Sequence, residues 1–464
     1  MNRERRHDSV RLRRVLKCAG LMLLAASPGV WAQARPGPTV RPGQTQAPAQ
    51  EQARPQEATW GFDLGARYTD NVARVDEDEQ SETVGIAGVN FIFAVNRPRL
   101  VGSAAADLHY EKYFDNTFDP EVNGGLDGLL SYAFIPERFL WTVQDNYGQV
   151  SRNRQAADTP ANRQDINYFS TGPDITLPLG ARTSFQVSGR WSDAYYEEDT
   201  QDSEDISGSV ALVRTISSST LISLNGSHSE VDYDQDNLFV DYQVEQAFLR
   251  FQLIGARTTI VLDGGVSRIE QDGDTSESEN LLASLDVTRL IGARSTLRLV
   301  LGTAPSTSAQ TFRRDQELGG VDVGAGAAVT AGDSFQSDYA YLTFATDWER
   351  SAFTAFLSAR SEDHETFNQD NRDQYRATLT YFRDLTRNFT LDMHGTYLDE
   401  KFTETGFAFD EWGGGLGARW QLGRRLALVA RLDHFVGSSD NNARDYTENR
   451  AYLGISYSTN REGY

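Results

Sequence analysis

The sequence predicts an all-β chain: a single transmembrane antiparallel up-and-down β-barrel of about 18 to 20 strands, with short periplasmic turns and long acidic extracellular loops. Three observations lead there. Apolar and polar residues alternate over stretches of roughly ten residues or more, the length a tilted strand needs to cross a bilayer. Short turns of one recurring type punctuate the chain, and the segments between them are joined alternately by these turns and by long acidic loops.

Composition agrees with this. The chain has 464 residues, 39% of them hydrophobic and 11% aromatic, and a mean hydropathy of -0.50. That is thin for several packed cores but too aromatic for a disordered chain. A barrel needs only one apolar face per strand. The formal charge of -22 argues against nucleic acid as a partner, because phosphate binding needs a basic surface.

The N-terminus places the chain outside the cytoplasm. Arg3, Arg5, Arg6, Arg11, Arg13, Arg14 and Lys17 precede the short apolar run from Cys18 to Ala26, and "VWA" ends at residue 32. Residues 1–32 read as a secretory signal peptide. Cys18 lies within it, so the remainder contains no cysteine for a disulfide or thiolate metal site. Residues 33–58, rich in Pro, Gln and Ala, read as a disordered periplasmic linker. The barrel is expected over 59–457, followed by a polar tail, 458–464. No later apolar stretch approaches the ~18 residues of a transmembrane helix.

The first strand, "GFDLGARYT", sets Phe62, Leu64, Ala66 and Tyr68 on one face and opens at "TDN" into an acidic run through Asp76, Glu77, Asp78 and Glu79. Later turns repeat one phrase: "LGARTSF" at 179, "IGARTTI" at 254, "IGARSTL" at 291 and "LGRRLAL" at 422, with cousins at 96, 136, 215, 348 and 386. Neighbouring turns fall about 40 residues apart, with one wider interval spanning 304–336. A propeller blade of that period would hold four strands, whereas each interval here holds two long ones. A soluble sandwich would use strands of about 5 or 6 residues. Between the turns lie acidic loops such as "YYEEDTQDSED" and "EQDGDTSESEN". Carboxylates there hydrate the loops or bind divalent cations that bridge lipopolysaccharide phosphates.

The polar faces form the expected lumen. Candidate lining residues are Arg190, Arg250, Asp263, Asp286, Arg298, Tyr339, Tyr341, Arg376, Asp392, Arg431 and Asp433. If "IGAR" marks turns, Arg250 comes diagonally near Asp263 and Asp286 near Arg298, giving a wall of mixed charge. "YAYLTF" sets Tyr339 and Tyr341 opposite Leu342 and Phe344, so two tyrosines enter the polar interior. The interval 304–336 is expected to fold over or into the mouth as a constriction, with Arg313 and Arg314 exposed.

At the C-terminus "AYLGISY" resembles the terminal strand read by the barrel-insertion machinery, ending on Tyr457 with the tail "STNREGY" beyond it. Taken with the opening "WGFDLGARYTDN" and the chain-long hairpin repeat, residues 60–457 resemble the outer-membrane β-barrel porins associated with exopolysaccharide operons and exosortase (PEP-CTERM) systems. The resemblance implies a barrel in the outer membrane of a Gram-negative bacterium that helps polysaccharide cross or attach to that membrane. Its implied partners are outer-membrane lipid and lipopolysaccharide, polysaccharide and export-complex components. No cofactor or catalytic residue comes with it. His109, His228, His364, His394 and His434 are scattered over different hairpins without a nucleophile motif, so an enzyme is not expected. A passive porin preferring small cations is the alternative function. A TonB-dependent transporter is not expected either, because residues 33–58 do not read as a folded plug domain ahead of the first strand.

Overall fold

The computed structural model describes residues 57–198, 201–234, 239–271, 277–319, 334–441 and 444–459. The expected signal peptide, the linker up to residue 56, most of the Gly/Ala-rich part of the wide interval, and tail residues 460–464 lie outside the described residues.

Strand formation follows the alternation. In order the strands are β1 (Glu57–Thr69), β2 (Glu82–Arg97), β3 (Leu100–Tyr113), β4 (Glu121–Ile135), β5 (Phe139–Ser151), β6 (Arg163–Pro178) and β7 (Thr183–Tyr196). Then come β8 (Ser203–Ser217), β9 (Thr220–Tyr233), β10 (Tyr242–Ile254), β11 (Thr258–Gln271), β12 (Glu277–Ile291) and β13 (Ser295–Ser306). After one helix, α1 (Ser308–Gly319), the wall continues with β14 (Phe335–Asp347), β15 (Ser351–His364), β16 (Arg372–Thr386), β17 (Phe389–Phe402), β18 (Ala408–Gln421), β19 (Leu426–Ser439) and β20 (Tyr446–Ser458). They form one sheet of 20 strands, and β1 pairs antiparallel with β20, for example Leu64 opposite Ile455. Closure leaves no free edge strand, so around the middle of the barrel the ladders satisfy the backbone without help from solvent.

The recurring Gly/Arg phrases are the short turns, two to four residues long, at one end of the barrel. The longer connections all lie at the other end. Both β1 and β20 have their chain-terminal ends on the short-turn side.

Outside, the alternation exposes an apolar belt. Phe62, Leu64, Leu249, Val266, Leu281, Leu416, Leu432 and Leu453 are all large, apolar and exposed. Water would not tolerate so continuous a belt, whereas hydrocarbon requires it. Trp60, Trp141, Trp191, Trp348, Trp412 and Trp420 also lie on this surface, where amphipathic rings suit a membrane boundary. Leu64 is 68% exposed. Leu64→Arg is expected to cost roughly 2–4 kcal/mol if the site lies near the bilayer midplane. A urea titration of folding into lipid vesicles checks this.

Inside, the second face is polar and its charges pair. Arg67 on β1 donates to both carboxylate oxygens of Glu111 on β3, at 2.9 and 2.5 Å. Strand β18 carries glycines on its inner face, and they let its two neighbours meet across it. A Cβ at Gly415 would stand 2.0 Å from Asp433 Oδ1, and one at Gly417 would stand 2.1 Å from Asp392 Oδ1.

Candidate functional site

The site grows out of the wide interval between β13 and β14. Thr307 accepts the backbone N–H of Gln310 on its Oγ1 at 3.1 Å, and its carbonyl accepts the N–H of Thr311 at 2.9 Å. This is an N-cap, in a Thr-x-x-Gln sequence that suits the start of a helix. The resulting α1 is short, so tertiary contacts must hold it.

One side of α1 packs on β5, β6 and β7. Phe312, 1% exposed, joins Ala309, Val150, Ile166, Tyr168, Ala194 and Tyr196 in an apolar cluster. Gln316 donates to the Tyr147 carbonyl at 2.9 Å and accepts from Asn146 at 3.1 Å, while Glu317 accepts from Gln144 at 2.9 Å. The other side reaches β14 and β15. Asp315 accepts from the Tyr341 hydroxyl at 3.0 Å and from Arg360 Nη1 at 2.9 Å. Strands 5 and 14 stand nine places apart in a ring of 20, on opposite walls. A helix that touches both walls within six residues therefore lies across the lumen.

A second segment closes the same end. The connection between β5 and β6, residues 152–162, sends Arg154 across to Glu400 on β17, with Nη1 to Oε1 at 2.9 Å, and the Arg154 carbonyl accepts from Arg444 Nη1 at 2.9 Å. Arg444 stacks on the Phe409 ring at 3.5 Å. Asp158 in the same segment pairs with Arg163 at 2.7 Å and lies 3.7 Å from Arg74, which pairs with Glu448 at 2.9 Å.

These contacts join into one network. From Asp315 it runs through Arg360 to Glu362 at 2.8 Å, and Arg372 then links Glu362 to Glu400. Arg360 also donates to Gln374 at 2.9 Å, and Gln374 donates to Glu400 at 3.0 Å. Arg154 carries the chain from Glu400 into the 152–162 segment. Pairing at close range is what makes so many buried charges tolerable. Burial lowers the Arg154 guanidinium to about 10, an effect that Glu400 and Glu362 partly offset. Burial alone would raise the Asp158 carboxyl, but Arg163, with Arg74 and Arg444 behind it, holds that carboxyl well below the usual carboxylate range.

The Asp158 arrangement has a pH consequence. A carboxyl whose folded-state value is depressed stabilises the fold fully above its free value, about 3.9, and loses that contribution as pH falls toward the folded value. The 152–162 segment is therefore expected to stay closed from neutrality down to about pH 4 and to loosen only below it. Conductance recorded against pH checks this: a transition near pH 6 would contradict it.

The residues expected to line the lumen can now be placed. Arg250 faces Asp263 on the same rung and bonds to both its oxygens at 2.7 and 2.8 Å, with Ser284 adding a third bond at 3.0 Å. The expected diagonal relation is corrected here, because the turn at 255–257 sets Ile254 opposite Thr259. Arg298 and Asp286 do meet diagonally, at 3.1 Å, since Asp286 stands opposite Val300. Arg190 bonds Asp174 at 2.7 Å, Arg431 lies 3.6 Å from Asp392, and Asp433 lies 3.4 Å from His394. Tyr341 is buried beneath α1, and the Tyr339 ring lies beside it, tilted, with centroids 5.6 Å apart. Half-buried Arg376 feels the charges of Asp315 and Glu400.

Arg313 and Arg314, expected to be exposed, are half-buried inside. Arg313 lies over the Tyr168 ring at 5.4 Å and Arg314 over the Tyr339 ring at 4.4 Å. The helix turns both guanidiniums onto the wall, where aromatic faces attract them. Reversing Asp263 and Asp286 to lysine is expected to shift ion selectivity in planar bilayers toward anions, because both partners are then cationic and face the lumen. An unchanged reversal potential would leave these pairs a purely structural role, worth about 0.2–1 kcal/mol each.

Among the described residues, no group of three or more His, Asp or Glu side chains is placed to hold a metal ion. No family model matches the chain, and no curated protein matches it. Among solved structures it is similar to a mutant ferric enterobactin receptor, PfeA, from Pseudomonas aeruginosa: 9% identity, 88% of this chain and 81% of that one, TM-score 0.43. It is also similar to the FrpB iron transporter of Neisseria meningitidis, with 10% identity, 86% and 81% coverage and TM-score 0.40. A third is a loop-deleted OmpT, an outer membrane protein of Vibrio cholerae, with 11% identity, 87% and 99% coverage and TM-score 0.31. Likeness at this level adds nothing to the strand pairing. The closed sheet and its apolar belt define an outer-membrane β-barrel.

Proposed function

We propose that this barrel sits in the outer membrane of a Gram-negative bacterium and takes part in the export or surface attachment of an envelope polysaccharide, through a mouth that rests closed. The observation that carries the reading is the way α1 is held. Among its described side chains, Phe312 and Ala309 pack in an apolar cluster, while Asp315, Gln316 and Glu317 reach the walls through hydrogen bonds and an ion pair and Arg313 and Arg314 lie over the rings of Tyr168 and Tyr339. A hydroxyl-rich polymer can exchange for such bonds and stack on such rings, whereas a small ion can do neither. A passive porin is the weaker reading, because it needs a standing water path where α1 and residues 152–162 now lie. The reading is non-catalytic.

Deleting the gene and measuring cell-associated and released polysaccharide tests it. The expected result is a loss of one or both fractions. Unchanged polysaccharide with reduced uptake of small cationic solutes would replace this reading with the porin.

A further inference from the structure

The ladder between β4 and β5 stops early. Its last rung toward the long-loop end is Leu126 opposite Tyr147, although β4 remains paired with β3 up to Glu121 and β5 remains paired with β6 up to Ser151. Four to five residues on each strand thus run on as strand with no partner across this one gap. A comparable parting occurs between β12 and β13, where rungs stop at Ala283 opposite Thr303; there β13 stays on β14 up to Ser306 and then runs on into α1.

Side chains stand in for the missing ladder. From the outer face, the Gln149 carboxamide accepts the Gly124 N–H at 2.8 Å and donates to the Val122 carbonyl at 3.3 Å. From the lumen, Gln316 of α1 caps the Tyr147 carbonyl. Gly124 takes a φ of 126°, which only glycine adopts readily, and so turns its peptide toward the Gln149 side chain. A strand pair closed by two amide side chains can part without breaking a backbone ladder.

The surroundings of the gap are two-sided. Inside, the wall next to it is the apolar cluster of Val150, Ile166, Tyr168, Ala194 and Tyr196, capped by Phe312. Outside, Asn167 donates to Asp145 at 2.7 Å and Gln149 donates to Asp165 at 2.9 Å, two polar pairs on the outward positions of β5 and β6 in which Asp145 and Gln149 are themselves buried. A hydrophilic polymer needs neither an apolar wall nor a side exit. A molecule with a sugar head and an acyl chain needs both.

We propose that the β4–β5 gap is a lateral gate, latched by α1, through which an acylated glycan passes between the lumen and the outer leaflet. The sugar part of this assignment rests on the polysaccharide reading above, and the acyl part rests on the gap and the apolar wall.

The test uses the full chain in nanodiscs and a maltoheptaose bearing one myristoyl chain with a terminal diazirine, against the same diazirine-tagged sugar without the chain. In Gln149→Ala/Gln316→Ala, photo-crosslinking of the acylated probe to the segment from Val150 to Tyr168 is expected to rise several-fold over the unmodified chain. Adding Val122→Cys and Ser151→Cys and bridging them with a short dithiol-reactive linker is expected to abolish the gain. A control bridge from Tyr110→Cys to Val122→Cys, across an intact rung, is expected to leave it. Crosslinking that ignores the first bridge, or that maps only to the outer belt, overturns the gate. Hydrogen exchange on the unmodified chain gives a readout free of variant folding: the amides from Val122 to Gly125 exchange faster than those of β8 and β9 at the same height, and equal protection overturns the parting. If the unacylated sugar labels no lumen residue while the acylated probe obeys the bridges, the polysaccharide reading falls and the gate stands. The converse result fells the gate alone.

Discussion

Single-channel conductance rises by roughly an order of magnitude when residues 306–334 are deleted, because the deletion removes α1, which lies across a lumen that 20 strands make wide enough for water. Planar-bilayer recordings of the purified barrel read this directly. Asp315→Ala/Gln316→Ala is the finer version: it keeps the chain length and removes one bond set to each wall, so it gives long-lived open events rather than a permanently raised level. Identical conductance in both variants would mean that residues 152–162 alone seal the mouth.

The second large effect is on stability. Glu362 is 2% exposed and takes charge from Arg360 and Arg372, with His364 3.7 Å away. Glu362→Ala takes one carboxylate from two buried guanidiniums, leaving Arg360 with Asp315 and Arg372 with Glu400, and is expected to cost up to about 3 kcal/mol, the lower end of the penalty for breaking a buried pair from one side. The readout is the urea midpoint in vesicles and the temperature at which the folded gel band disappears. Arg360→Ala acts on the same network, so the double variant is expected to cost less than the two single costs together.

Much of the wall was legible in the sequence. Alternation over whole strands gave the faces, and the "GAR" phrases gave the short turns, because both signals are local and a one-residue error would put every charge in lipid. The mouth was far less legible. Arg154 meets Glu400, 246 positions away, and Gln316 meets Asn146, 170 positions away. No periodicity encodes a contact between distant loops. The α1 helix did leave a trace in Thr307 and Gln310, three apart, before an apolar residue at 312 and ahead of Gly319. Read as a capping box, that trace would have turned an exposed loop into a helix and moved Arg313 and Arg314 inward. Gln149 was beyond reach, since an amide on a strand reads like any polar residue until the neighbouring ladder is seen to stop.

The distances along the chain between the partners of Arg154 have a kinetic meaning. Asp158 finds Arg163 within its own hairpin, but Arg154 meets Glu400 and Arg444 only across the finished sheet. These two contacts can form only when β5, β17 and the β19–β20 connection are all in place, close to the moment when β20 meets β1. Every assembly intermediate short of that point lacks them. Their formation thus becomes a report that the sheet itself has been completed.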